Sequence, residues 1–261
     1  MKFKAAAKPL DSRGLDEALS DLDADAADLW AVINVETSGC GFFSDRSVKI
    51  LFERHIFHRE TNGAFDAQAP ALSNPQQGGY GEGGTAQYKR LKDAMALNED
   101  AALRSTSWGL GQVMGFNASA VGFPDARAMV SAFVPSESAQ VKAMARFIRH
   151  SGLAGALRSH DWVRFARGYN GSNFAINRYD TRLAGENEKL RRSGLPDLHV
   201  RAAQTYLTFL GFNPFGIDGV MGRLTRSAMN QYQATKGLPV TQDVDDPTLD
   251  ALARDAAALA N

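Results

Sequence analysis

The feature that most limits the fold is a scarcity of strands. One run, "SVKILFERHIF" at 47–57, reads as a β-strand or as a strand passing into a helix. Nearly every other apolar pattern has the period of a helix. The chain is therefore expected to be mainly α, with one small β element. Asp11 or Ser12 can cap a short helix near 13–20. The next helix has Asp23 as its candidate cap and Ala27, Leu29, Trp30, Ile33 and Val35 as apolar cover. It ends near Glu36, where Ser38-Gly39 breaks the pattern. Residues 60–84 are turn-rich, and "NPQQGGYGEGG" among them is a loop. "TAQYKRLKDAMAL" is helical, and "NEDAALRST" opens on Asn98 as a cap and continues a helix toward Trp108. "DARAMVSAFV", "SESAQVKAMARFIRHSG" and "INRYDTRLAGENEKLRR" are further helices. The second of these is capped by Ser136 or Ser138 and stopped by Gly152.

After Arg192 the style changes. "SGLPDLH" is a short linker, followed by a compact unit with three helical stretches: "HVRAAQTYLTFLGF", "RLTRSAMNQYQATKGL" and the segment after "PVTQDVDD". The spacing predicts two domains, 1–192 and 193–261. Val200, Ala203, Tyr206, Leu207 and Leu210 line one face of the first C-terminal helix, so the second domain is expected to build its own core. Few contacts should then cross the boundary. Cutting near Ser193 should leave a folded, active first domain.

Bulk properties narrow the function. The chain has 261 residues, with 29 Lys and Arg against 29 Asp and Glu. Such a balance argues against a nucleic-acid binder, although 141–192 is locally rich in arginine. The single cysteine, Cys40, excludes an internal disulfide, and its Gly-flanked setting reads as a small packed side chain. The N-terminal "MKFKAAAKPLDSRG" has positive charge but no apolar core region, so no secretory signal is expected there. No run approaches the length of a membrane span. His55 and His58 in "HIFH" have a spacing that two zinc ligands can use, but no further ligand cluster accompanies them; no metal or cofactor is expected.

Two carboxylates stand in unusual places. Glu36 closes an apolar helix, and Glu53 closes the apolar run "VKILF". A carboxyl held against apolar surface keeps its proton to higher pH, because desolvation disfavours the anion. The negative end of a helix dipole acts in the same direction on Glu36. An acid that stays protonated near neutral pH, paired with a second carboxylate, is the equipment for cleaving a glycosidic bond. Glu36 is the candidate general acid. Glu53 is the candidate second carboxylate, with Asp45 in "FFSDRS" as its rival.

Three spaced motifs complete the pattern: "ETS" at 36–38, "GLGQVM" at 109–114 after "STSW", and "GYNG" at 168–171. Together they resemble the signature of goose-type lysozymes and lytic transglycosylases. "VKILFERHIFHRET", "SNPQQGGYG" and "STSWGLGQVMGFN" look closer still to the N-acetylmuramidase family found in phage endolysins, over most of 25–185. Thr37 in place of the commoner Ser, and Gly111 within the Gln motif, are modest departures. The resemblance implies a lysozyme-like α+β catalytic domain with a small β element, and a groove that includes Ser38, Ser107, Gln112, Tyr169 and Asn170, with Tyr80 at its rim. The Gln and Tyr positions would hold sugar and position the acid.

The C-terminal unit resembles the three-helix peptidoglycan-binding domain of many wall hydrolases, with "IDGVMG" at 217–222 as the diagnostic turn. Asp218 and Gly219 should shape that turn; Phe215, Tyr232 and Gln233 are the candidate wall contacts. These resemblances imply an endolysin that hydrolyses the β-1,4 bond between N-acetylmuramic acid and N-acetylglucosamine. The alternatives are a transglycosylase giving 1,6-anhydro products, or a non-catalytic wall-binding phage or secretion component. Peptidoglycan is the expected partner, without nucleic acid or membrane insertion, and the chain is expected to be a monomer. It would be made in the host cytoplasm and act in the periplasm after holin-type release.

Overall fold

The computed structural model describes residues 1–172 and 174–259. The chain is mainly helical, with one small sheet. Helix α1 (Ser12–Leu22) is capped by Asp11, whose side chain accepts from the Gly14 amide. Helix α2 (Ala26–Thr37) is capped by Asp25 rather than Asp23. Asp23 instead closes α1 in the left-handed region, at φ 51°, so one short turn uses one aspartate to end a helix and another to start the next. Helix α2 buries residues on every side, which marks it as the central helix of the N-terminal half.

The strand expectation resolves into both of its forms. Strand β1 (Ile50–Phe52) runs through Glu53 directly into helix α3 (Arg54–Glu60). After α4 (Gln87–Leu97) and α5 (Glu99–Arg104), the chain does not stay helical to Trp108. It turns into β2 (Thr106–Trp108), followed by β3 (Val113–Met114). The three strands form an antiparallel sheet in the order β1-β2-β3, with Leu51 opposite Ser107 and Trp108 opposite both Ile50 and Val113. Thr106–Trp108 is buried on both faces and so lacks the alternation that would mark it as a strand. Trp108 is core: it stacks on Phe3, and its indole N–H donates to the Leu103 carbonyl at 3.1 Å.

Helices α6 (Ala126–Phe133), α7 (Glu137–His150), α8 (Ala154–Arg158), α9 (Trp162–Asn170) and α10 (Tyr179–Ser193) complete this half. Ser136 caps α7. Helix α1 packs on α7, and α10 lies along α2. Two apolar cores result, one around the sheet and one around α2. Gly168, Tyr169 and Asn170 form the last turn of α9, which stops at Gly171 with φ 86°.

The C-terminal unit consists of α11 (Leu198–Phe209), α12 (Arg223–Thr235) and α13 (Asp246–Ala258). It has its own core, which includes Ala203, Leu207, Met229, Tyr232 and Leu252. Tyr232 is therefore not a wall contact; its ring is fully buried and its hydroxyl donates to Asp255. Gln233 is also buried, bonded to Thr241 and Thr248. Asp218 serves the turn, accepting from Gln204 and from the Val220 amide. Phe215 is 70% exposed and remains available to a ligand.

The boundary itself is crowded, contrary to expectation. Phe209 and Ala256 belong to the sheet core, Tyr206 and Ile217 pack against it, and Leu198 packs on the α2 core. Phe42 meets Phe209 edge-on, with centroids 6.4 Å apart. A fully buried ion pair, Glu137 with Arg201 at 2.8 Å, joins α7 to α11. The predicted apolar face of α11 does line the module's own core, through Ala203, Tyr206, Leu207 and Leu210, while Leu198, Phe209 and Arg201 on the rest of the helix pack on the first domain.

Candidate active site

The end of α2 is held from three directions. The Thr37 hydroxyl lies 3.2 Å from both the Ile33 and the Leu110 carbonyls. Lys49, at the start of the β element, donates to the Thr37 carbonyl at 2.8 Å. Ser38 closes the helix with φ 54°, and Gly39 continues the turn at φ 82°. Ser38 is exposed beside the turn. The helix terminus that carries Glu36 is thus tied both to the sheet and to the 109–112 loop.

That loop is itself tightly built. The Gly109 amide donates to the Lys49 carbonyl at 2.8 Å, and buried Gln140 accepts from the Leu110 amide at 2.8 Å. Gln112 adopts φ 46°, a left-handed conformation that costs energy for a non-glycine residue. Its side chain donates to the Gly109 carbonyl and accepts from the Ser107 hydroxyl at 2.9 Å. A Cβ at Gly111 would sit 2.6 Å from the Met144 side chain, so only glycine fits there. This explains the glycine inside the Gln motif. The Gly111 carbonyl accepts the Tyr169 hydroxyl at 2.7 Å.

Tyr169 lies in an aromatic stack. Its ring is nearly parallel to Phe165 at 5.3 Å and to Tyr179 at 6.4 Å, with Phe147 edge-on. The Tyr179 hydroxyl donates to Glu36 Oε1. Arg182, one helical turn on, donates to the Val35 carbonyl at 2.9 Å. Burial pushes the Glu36 carboxyl up to about 7, opposed by the Tyr179 hydrogen bond and the Arg182 charge. Burial also raises both tyrosines, with the Glu36 charge acting in the same direction, so both phenols remain donors. The result is a carboxyl that still holds its proton near neutral pH and is aimed by a tyrosine.

Tyr179 and Arg182 were missed in the sequence, where their helix reads only as long and polar. The available signal was position: α10 packs along α2, so its first turn meets the end of α2.

Glu53 sits half-buried where β1 passes into α3, and its amide donates to the Ser105 carbonyl. Its side chain does not cap the helix. Burial raises its carboxyl, and a hydrogen bond from Tyr80 opposes the rise. His55 Nδ1 lies 3.1 Å from Glu53 Oε2, but the angle makes no good hydrogen bond, and both atoms are buried without a true partner. His55 is itself held low by burial and by Arg59 and Arg54. A buried carboxylate oxygen with no donor aimed at it is uncommon in a purely structural ion pair. Buried Gln87 pins the glycine loop: it donates to the Tyr80 and Glu82 carbonyls and accepts from the Phe52 amide. Tyr80 is thereby held against Glu53.

The structure therefore joins Glu36, Tyr179, Tyr169, Gln112 and Ser107 through one set of contacts. Ser107 in turn faces Leu51 on β1, two residues before Glu53. Asn170 is exposed at the last position of α9. Asp45 lies elsewhere, bound to Lys4 at 2.6 Å and to Ser47, and held low despite its partial burial. His58 is occupied by Asp66 at 2.7 Å and does not share a ligand set with His55. Cys40 is buried and its thiol is pushed up to about 12 by burial and by Glu137.

The N-acetylmuramidase family profile matches residues 25–191, and that of a putative peptidoglycan binding domain matches 197–252. The crystal structure of the Burkholderia AP3 phage endolysin superposes with a TM-score of 0.65 and 40% identity, over 71% of this chain and 72% of that one. No curated protein matches. With its family profile spanning most of the chain, the protein belongs to the N-acetylmuramidase family, a peptidoglycan glycosidase with a peptidoglycan-binding module at its C-terminal end.

Proposed function

We propose that the chain is an endolysin that hydrolyses the β-1,4 bond between N-acetylmuramic acid and N-acetylglucosamine. The observation that carries this reading is the Glu36 carboxyl, protonated to about pH 7 and oriented by Tyr179. Glu36 donates its proton to the glycosidic oxygen as the C–O bond breaks, and positive charge develops on the sugar ring. Glu53 is the second carboxylate. In its ionised form it stabilises that charge or takes a proton from the attacking water, and Tyr80 holds it in place. Gln112 and Ser107 offer amide and hydroxyl groups to the sugar, and Ser38 and Asn170 lie exposed beside the same elements. Phe215 is the exposed aromatic that the C-terminal module presents to the wall. Among the described residues no helix is long and apolar enough to cross a membrane. On this reading the enzyme acts in the periplasm after release of the holin type.

Products from purified peptidoglycan test the reading by mass. Each cut should add one water and leave a reducing N-acetylmuramic acid. Mainly 1,6-anhydro ends would assign the chain to transglycosylation instead. Glu53→Gln should lower turnover on the order of 10²-fold with the fold retained. Near-normal turnover would remove Glu53 from the chemistry.

A further inference from the structure

The C-terminal module meets the catalytic domain through a chemically specific, fully buried contact. Arg201, on α11, is 0% exposed. Its Nε lies 3.0 Å from the Gly39 carbonyl, a second nitrogen bonds the same oxygen, and Nη1 lies 2.8 Å from Glu137 Oε2. The guanidinium also lies over the Trp30 ring of α2, at 5.5 Å. Glu137 is equally buried and is fully used: it accepts the Gly41 amide at 2.7 Å and the Leu10 amide at 2.8 Å. A Cβ on Gly39 would collide with the Ile217 carbonyl, which belongs to the turn of the module. Gly39 and Gly41 are thus gripped from both sides, and this loop leaves α2 directly after Glu36.

We propose that Arg201 is a positioning residue for Glu36: the wall-binding module, through Arg201 and its 217–222 turn, fixes the 38–41 turn and so the aim of the general acid. A tether alone would need only the linker. Burying an arginine and a glutamate costs desolvation that an apolar contact of similar volume avoids, so the pair is a poor device for adhesion. It is a good device for geometry, because a planar fork with several directed donors tolerates one arrangement of its acceptors. Catalysis is sensitive to that geometry; displacement of a reacting group by about 1 Å can cost on the order of 10²-fold.

The inference rests on the assignment of Glu36 as the acid, and its test separates the two. Full-length Arg201→Met and Arg201→Lys are compared with wild type on short soluble glycan fragments, which need no wall anchoring. Arg201→Met should lower kcat roughly 10- to 100-fold with little change in KM. Its alkaline limb should move to lower pH as water reaches Glu36, where the facing charged and titratable groups, Tyr179, Tyr169, Arg182 and Lys49, are unchanged. Arg201→Lys, which keeps the charge but has a single nitrogen, should recover part of the loss. Amide exchange at 38–43 should quicken in Arg201→Met while 228–232 stays protected, a readout independent of any activity. If Arg201→Met does not fold, the double variant Arg201→Met, Glu137→Gln, which leaves no buried charge, takes its place. Wild-type kcat, an unmoved alkaline limb and slow exchange in a folded variant would overturn the proposal. Fast exchange at 38–43 in a series where Glu36→Gln is as active as wild type would instead overturn the assignment of the acid.

Discussion

Glu36→Gln is expected to abolish turnover while leaving the fold intact. The amide is nearly isosteric and can still accept the Tyr179 hydroxyl, so the aromatic stack and the end of α2 should persist. What it cannot do is give up a proton to the leaving oxygen. General acid catalysis contributes typically about 10²- to 10⁴-fold, and a natural leaving group as poor as a sugar alkoxide belongs at the upper end. The pH profile of wild type carries the same argument. Burial is the largest influence on Glu36 and raises it to about 7, so the active, protonated form is lost as pH rises through that value. The stability sign follows. The folded state holds this proton more tightly than the unfolded chain, so folding loses stability as pH climbs from the ordinary carboxylate range toward 7. Activity assays and thermal melts across pH 5–9 check both. A folded Gln variant with more than a few per cent of wild-type activity, or an alkaline limb identical in wild type and variant, would place the acid elsewhere.

The legibility of this site in the sequence was uneven for physical reasons. Glu36, Gln112 and Tyr169 each sit beside a break in periodicity: the αL residue Ser38, the strained Gln112 turn, and Gly171. Local backbone chemistry announces such breaks, so one strand and most helices could be read and Glu36 singled out as the candidate acid. Tyr179 could not, because the first turn of an exposed polar helix carries no mark of what it will pack against. Strand β2 was hidden by burial on both faces; Tyr232 was read as a wall contact although the period of α12 puts its ring on the same side as Met229 and Ala228, toward the module core. Arg201 was hidden most completely. An arginine in an amphipathic helix is ordinarily solvated, and only the long-range partners Glu137 and Gly39 make it interior. Together with Phe209, Ile217 and Ala256, it is why more contacts cross the boundary than the sequence suggested.

Ending the chain after Ser193 should therefore produce an unstable catalytic domain, not an independent one. Removal of α11 takes Arg201 from Glu137 and strips Phe209, Ile217 and Ala256 from the sheet core. Leaving one member of a buried ion pair without its partner costs about 3–5 kcal/mol. For a domain of this size that is a fall in melting temperature on the order of 10 °C. The pH dependence should also change sign. In the full chain Glu137 is held low; burial alone would raise it, but Arg201 and the Gly41 and Leu10 amides outweigh that effect. Its contribution to stability is then present above the ordinary carboxylate range and fades as pH falls through the lowered value. Without Arg201 burial dominates, the carboxyl rises, and stability should improve as pH falls and the group takes up its proton. Glu137→Gln should accordingly stabilise the truncated chain near neutral pH and destabilise the full-length protein, where the charge is needed. Activity on soluble fragments should fall along with activity on walls, because the 38–41 turn is loosened in both assays. Melting curves of the two chains, each with and without Glu137→Gln, between pH 5 and 8 make the comparison. A truncated domain that melts within a degree or two of the full chain and retains its turnover on soluble fragments would show that the module is only a tether and that the buried pair is incidental to the catalytic fold.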